Sequence, residues 1–231
     1  MTRDPTVLAF DCAGSACAVA ITRGASVLAA SRQPTERGHA ALLAPAIEAA
    51  IAQAKLTPAA LDLIAVTTGP GSFTGIRIGL ATARGLALAL ARPLAGIDCF
   101  AALLASLDET EIATRRIVVA IDSRRDELFF ADGAGSDRRI ARPADFIASL
   151  PAGRYLAVGD AAPLLSEHAQ ARRDLDMIGA ASGRFVDAVA LARHAAARGL
   201  DHWTADNAAN GLPRPLYLRA PDVTLAKSAG P

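Results

Sequence analysis

A chain of 231 residues in which 52% are apolar has material for one large buried core or two small ones, without disulfide or metal staples. Its 24 Lys and Arg against 23 Asp and Glu leave a formal charge of +1, which excludes a global field pulling it towards nucleic acid or an anionic membrane. The three cysteines, Cys12, Cys17 and Cys99, are odd in number and lack paired CxxC spacing. That argues against a disulfide framework or zinc knuckle and for small buried thiols in a reducing compartment.

The opening MTRDPTVLAFD has an acid and a proline before a short apolar run, unlike a signal peptide. The most apolar segment, Ile76 to Ile97, is interrupted by Arg77, Arg84 and Arg92, each costly at a bilayer centre. The expected location is the cytoplasm. Val7 to Phe10, Cys17 to Thr22 and Val27 to Ala30 are short apolar runs separated by turn signals and read as three antiparallel strands. From Gly38 to Ala54 the period becomes helical, with Leu43, Ile47, Ala50 and Ala54 on one face and Pro45 set to kink the helix or mark its start.

Leu61 to Thr67 is a compact apolar run feeding TGPGSFTGIR, and a second helix is expected from Phe73 to Ala91, stopped by Pro93. Leu94 to Ile97 reads as a strand and Phe100 to Leu107 as a helix. The polar stretch Asp108 to Arg116 is the expected boundary between two α/β domains, residues 1–107 and 108–231. Beyond it, Ile117 to Asp122 is again a strand ending in aspartate with a hairpin partner at Glu127 to Ala131. This echo of the opening predicts two related lobes. A helix at Pro143 to Leu150, a strand at Tyr155 to Val158, a helix at Arg184 to Gly199 and a loop-rich tail with PRPLYLR complete the chain.

The stretch GPGSFTGIR looks like a phosphate cradle but fits neither phosphate template. A nucleotide P-loop needs Gly-Lys-Ser or Gly-Lys-Thr, and here Ile76 follows Gly75; a G-x-G-x-x-G fingerprint started at Gly69 meets Thr74 where the third glycine belongs. A tight strand-to-helix turn fits, with Ser72 or Thr74 as the cap. In the helix, Gly75, Gly79, Ala83 and Ala87 recur every four residues and, with Leu86 and Leu90, make a face of low relief. Two glycines on one face cost about 1 kcal/mol each relative to alanine and need a packing reason. Either the stripe packs on the chain's own sheet, or it forms a seam with a second protein. Arg77, Arg84 and Arg92 lie opposite, as a solvated face or as partners for another protein's carboxylates.

LAFDCAGSACAVAI, GPGSFTGIRIGLATARGLALAL, AIDSRRDELFFA and PLYLR, spread from Leu8 to Arg219, resemble the bacterial TsaB family, also called YeaZ. The resemblance thins between about Asp132 and Leu212, and Asp11-Cys12 departs from the family's usual Asp-Thr. It implies the two-lobed α/β fold of the actin, sugar kinase and Hsp70 ATPases. It implies a non-catalytic partner of TsaD, the paralogue that transfers a threonylcarbamoyl group to the adenosine beside the anticodon in tRNAs reading codons that begin with A. TsaE, an ATPase, joins that assembly, tRNA is reached through the complex, and a homodimer is expected in isolation. The docking surface expected here is Leu43 and Ile47 on the first helix with Phe73, Thr74, Gly75, Ile76, Gly79, Leu80, Ala83, Leu86, Ala87 and Leu90 on the second.

The residues agree with a chain that has no catalytic, cofactor or metal set of its own. Asp11-Cys-Ala-Gly-Ser lacks the Asp-x-Gly-Thr spacing of a phosphate loop, and Asp122-Ser-Arg-Arg puts bulk where phosphate would lie. His39 has Leu43 rather than a second histidine four residues on, and no HExxH occurs. The rival readings are an ATP-dependent small-molecule kinase of this fold and a peptidase-like hydrolase.

Overall fold

The computed structural model describes residues 4–35, 38–112, 114–133 and 135–219. The first three residues of the opening segment read above lie outside them. Strand β1 (Thr6–Asp11) is buried along its whole length, as an apolar run covered on both faces must be. It pairs antiparallel with β2 (Ala16–Arg23) and parallel with β4 (Leu63–Thr67). The edge strand β3 (Ser26–Pro34) is largely exposed, and β5 (Leu94–Ile97) closes the opposite edge, giving the order β3-β2-β1-β4-β5.

Parallel neighbours require crossovers. Helix α1 (His39–Gln53) supplies the first and α2 (Phe73–Leu90) the second. Pro45 does not mark the start of α1, which runs from His39 through it; the residue is exposed. Helix α2 starts where the Ser72 hydroxyl accepts the Gly75 amide at 3.2 Å, and stops at Ala91, which turns left-handed (φ 50°) ahead of Pro93.

After α3 (Cys99–Ala105) and the short α4 (Glu109–Ile112) the pattern repeats. Strand β6 (Arg116–Asp122) pairs antiparallel with β7 (Leu128–Asp132), and β7 with β8 (Arg139–Ala141). Helix α5 (Pro143–Ser149) crosses to β9 (Gly153–Val158), parallel to β6, and α6 (Ala162–Ala169) crosses to β10 (Leu175–Gly179), parallel to β9. The order β8-β7-β6-β9-β10 matches that of the first sheet, strand for strand. The internal echo thus extends over both sheets, and the fold is the two-lobed α/β fold expected of the actin, sugar kinase and Hsp70 class.

Helices α7 (Ala188–Ala197) and α8 (Leu200–Asn210) follow the second sheet in sequence but pack on the first. Ala188 meets Ala18 and Ala20 on the sheet face opposite α1 and α2. Asn207 is bonded to both backbone groups of Leu94, accepting its amide at 2.8 Å and donating to its carbonyl at 3.0 Å. Alternation in β6 then joins the lobes: Val119 and Ile121 enter the same core as Phe10, Phe100 and Leu191, while Val118 and Ala120 face the outer core, where Phe130 stacks on Phe146 with centroids 3.8 Å apart.

Candidate partner-docking surface

The glycine stretch is a turn in which three of the amides are used by the chain itself. Ser72 N–H donates to the Ala13 carbonyl at 2.7 Å, Ile76 N–H to the Ser72 carbonyl at 2.9 Å, and Gly75 N–H to the Ser72 hydroxyl. At Gly71 the backbone has φ 153° and a β-carbon would lie 2.4 Å from the Ala13 carbonyl oxygen. Only glycine fits there, and the reason is close packing of this turn on the β1–β2 turn.

This packing corrects the reading of the small-residue stripe. Gly75, Gly79, Ala83 and Ala87 face the chain's own sheet, with a β-carbon at Gly79 meeting Val66 at 3.4 Å. Ile76, Leu80, Leu43 and Ile47 are buried in the same layer, and Leu86 and Leu90 are half-buried against it. Of the residues expected on a docking surface, only Phe73 and Thr74 are exposed. The physical cause is burial: small residues let α2 sit close to β4 and α1, so low relief serves the intramolecular contact. A bulky charge at Gly79 would strike Val66 and so would test folding rather than docking.

The outward faces of α1 and α2 differ in kind from an ordinary solvated surface. On α1 they present Ala41, Ala44, Pro45, Ala49 and Ala52; on α2, Thr74, Ala81, Gly85, Leu88 and Ala89. Leu88 is 82% exposed. Glu48 and Arg77 are the only exposed charges on the two helices, with Arg84 half-buried. Sequence periodicity missed this second stripe because alanine scores as apolar on either face. The scarcity of charge on the outer face was its available signal.

The three α2-side arginines are occupied by the chain itself. Arg77 donates to the Tyr217 hydroxyl at 3.0 Å and lies 3.8 Å over the Phe73 ring; Arg84 donates to the Pro213 carbonyl at 2.5 Å; Arg92 donates to the Ala59 carbonyl at 3.1 Å. With Leu216 N–H on the Thr68 carbonyl at 2.8 Å and Arg219 paired to Glu127 of the second lobe, the PRPLYLR segment forms a strap from α2 across to the β6–β7 hairpin.

Between the lobes, where ATPases of this fold hold phosphates, Asp11 is buried and its Oδ1 accepts two hydrogen bonds. Thr67 Oγ1 donates to it at 2.5 Å and Ala13 N–H at 3.0 Å. Burial pushes its carboxyl above the ordinary range against the pull of the Thr67 bond. On the other lobe Asp122 accepts from Arg124 N–H at 2.7 Å, and Asp160 accepts from Asp122 N–H at 2.9 Å. The crevice lined by Asp11, Asp160, Arg184 and Phe185 has a volume of about 30 Å³, and a second cavity of about 520 Å³ adjoins it between Gly71, Ser72 and Thr74 of one lobe and Ser123, Arg124 and Arg125 of the other. Among the described residues no three His, Cys, Asp or Glu side chains are grouped to hold a metal.

Residues 31–149, just over half of the chain, match the family described as TsaD, tRNA N6-adenosine threonylcarbamoyltransferase. An uncharacterized protein of Mycobacterium tuberculosis is 34% identical over 159 residues, 68% of this chain and 72% of that protein. The tRNA threonylcarbamoyladenosine biosynthesis protein TsaB of Escherichia coli is 32% identical over 126 residues, 54% of each chain. YeaZ from Pseudomonas aeruginosa superposes with a TM-score of 0.72 at 25% identity, over 93% of this chain and 100% of that one. The chain belongs to the TsaB (YeaZ) family. The TsaD match begins in β3 and extends through α5, so it contains both helices of the charge-poor face.

Proposed function

We propose that this protein is the TsaB subunit of a cytoplasmic assembly that makes threonylcarbamoyladenosine in tRNA, and that it binds a TsaD paralogue through the outward faces of α1 and α2. It has a scaffolding role, and the transfer chemistry belongs to TsaD. The observation that carries this reading is the pair of exposed, small-residue helix faces that hold one exposed charge each. Alanine, glycine and Leu88 there are better matched to another protein than to water, since large exposed apolar patches seldom stay uncovered. Two helices from each subunit would form a compact bundle, for which a standard interface of about 1,600 Å² is adequate. Without TsaD the same face pairs two copies of this chain; with it, TsaE joins and tRNA is met through the complex.

The test is reconstitution with the TsaD of the same organism. Threonylcarbamoyl transfer that requires both chains is the expected result. Transfer by TsaD alone at the full rate, or turnover by this chain alone, would overturn the reading.

A further inference from the structure

We propose that Cys12 and Cys17 form a reversible disulfide across the β1–β2 turn when the protein meets a peroxide-class oxidant. The two residues are joined by register. Antiparallel pairing of β1 with β2 runs from Thr6 opposite Arg23 to Asp11 opposite Ala18, so the next step sets Cys12 opposite Cys17. Their sulfurs are 3.9 Å apart. Directly opposed residues of an antiparallel pair have α-carbons about 4.5–5.5 Å apart, inside the span of about 4.4–6.8 Å that a disulfide bridges, so the bond closes by side-chain rotation without sliding a strand.

The hydrogen bond between the thiols assigns the order of events. The Cys12 S–H donates to the Cys17 sulfur, which draws the Cys17 thiol down and holds Cys12 protonated. Cys17 is then the nucleophile. Its thiolate attacks one peroxide oxygen and the O–O bond breaks, leaving a sulfenic acid on Cys17 and releasing hydroxide, which takes up a proton to become water. The Cys12 sulfur displaces the sulfenic hydroxyl, which leaves as a second water with the Cys12 proton. Two thiols and one hydrogen peroxide thus give one disulfide and two waters. Both thiols are nearly fully buried, and the residues of the intervening turn open to solvent are Gly14 and Ser15, which sets the route by which a small oxidant enters.

Cys99 is the internal control. It is equally buried, follows β5 rather than this hairpin, and burial pushes its thiol well above the ordinary range, leaving it protonated and inert. The bridge would lie beneath the first turns of α2, because the Cys12 carbonyl touches Gly75 and the Cys12 β-carbon approaches Gly79.

The experiment treats the folded full-length chain with hydrogen peroxide, blocks remaining thiols in denaturant and maps them by mass spectrometry. Loss of two of three alkylatable thiols, a Cys12–Cys17 crosslinked peptide, and full recovery with dithiothreitol are expected. The Cys99→Ser variant should behave identically, and Cys12→Ser should leave a dimedone-reactive sulfenic acid on Cys17. Retention of all three thiols at peroxide levels that oxidise control dithiols, or a bond involving Cys99 or a second chain, would overturn the proposal. None of these readouts involves TsaD, so the outcome is independent of the docking reading.

Discussion

Gly75 lies against Cys12 so closely that a β-carbon on Gly75 would be 1.9 Å from the Cys12 carbonyl oxygen. The end of the central strand and the start of α2 are therefore one packing unit. Gly75→Ala must push strand and helix apart and is expected to cost about 3 kcal/mol, the upper range of overpacking a filled core. Gly79→Ala meets Val66 at 3.4 Å, an ordinary contact, and removes a helical glycine. It should be neutral or stabilising by up to about 1 kcal/mol. Denaturant melts of the two variants check both signs.

How far this architecture was legible follows from where burial is one-sided. Continuous apolar runs such as Leu8–Phe10 and Leu63–Val66 announced central strands, and the aspartates ending β1 and β6 announced the duplication. Helix α8 was hidden in an expected loop because Trp203 is its only buried residue, leaving no apolar stripe. Strand β8 is three residues long, and β10 is a five-residue edge strand in which only half-buried Leu175 and Met177 alternate with exposed Asp176 and Ile178, so each pattern is too short to read. In the candidate site, the helices were found and their orientation was not. Glycine and alanine every four residues mark a close contact equally well whether the neighbour is the same chain or another.

The pH dependence of stability should expose the buried charge at Asp11. Its folded-state carboxyl titrates above the ordinary 3.8 because burial disfavours the anion. Below pH 3.8 both native and unfolded states hold the proton and the group costs nothing. As pH rises through the interval up to the raised native value, the unfolded chain ionises first, and stability is lost until both states are ionised. Asp11→Asn retains an oxygen to accept from Thr67 and removes the charge. Its melting temperature should exceed that of the wild type at pH 7, with the gap closing towards pH 4. A wild type that is the more stable of the two at pH 7 would contradict this.

The strap across α2 should loosen when its anchor is cut. Arg84→Ala removes the bond to the Pro213 carbonyl. Exchange of the Leu216 amide, which donates to Thr68, should then quicken about five-fold, the equivalent of ~1 kcal/mol for one hydrogen bond. Amides in β1 and β4, far inside the sheet, should keep their wild-type protection.

The central claim is that the outward face of α1 and α2 binds TsaD, and Gly85 tests it most directly. A β-carbon there meets nothing within 4 Å and the position is exposed, so Gly85→Glu changes the surface without touching the core. Calorimetric titration of TsaD into wild type, Gly79→Ala and Gly85→Glu proteins is the measurement. Binding by the first two, and a loss of at least about 100-fold (~2.7 kcal/mol) for Gly85→Glu with its fold intact, is the predicted result. Affinity of Gly85→Glu within about three-fold of wild type, ~0.7 kcal/mol, would contradict it.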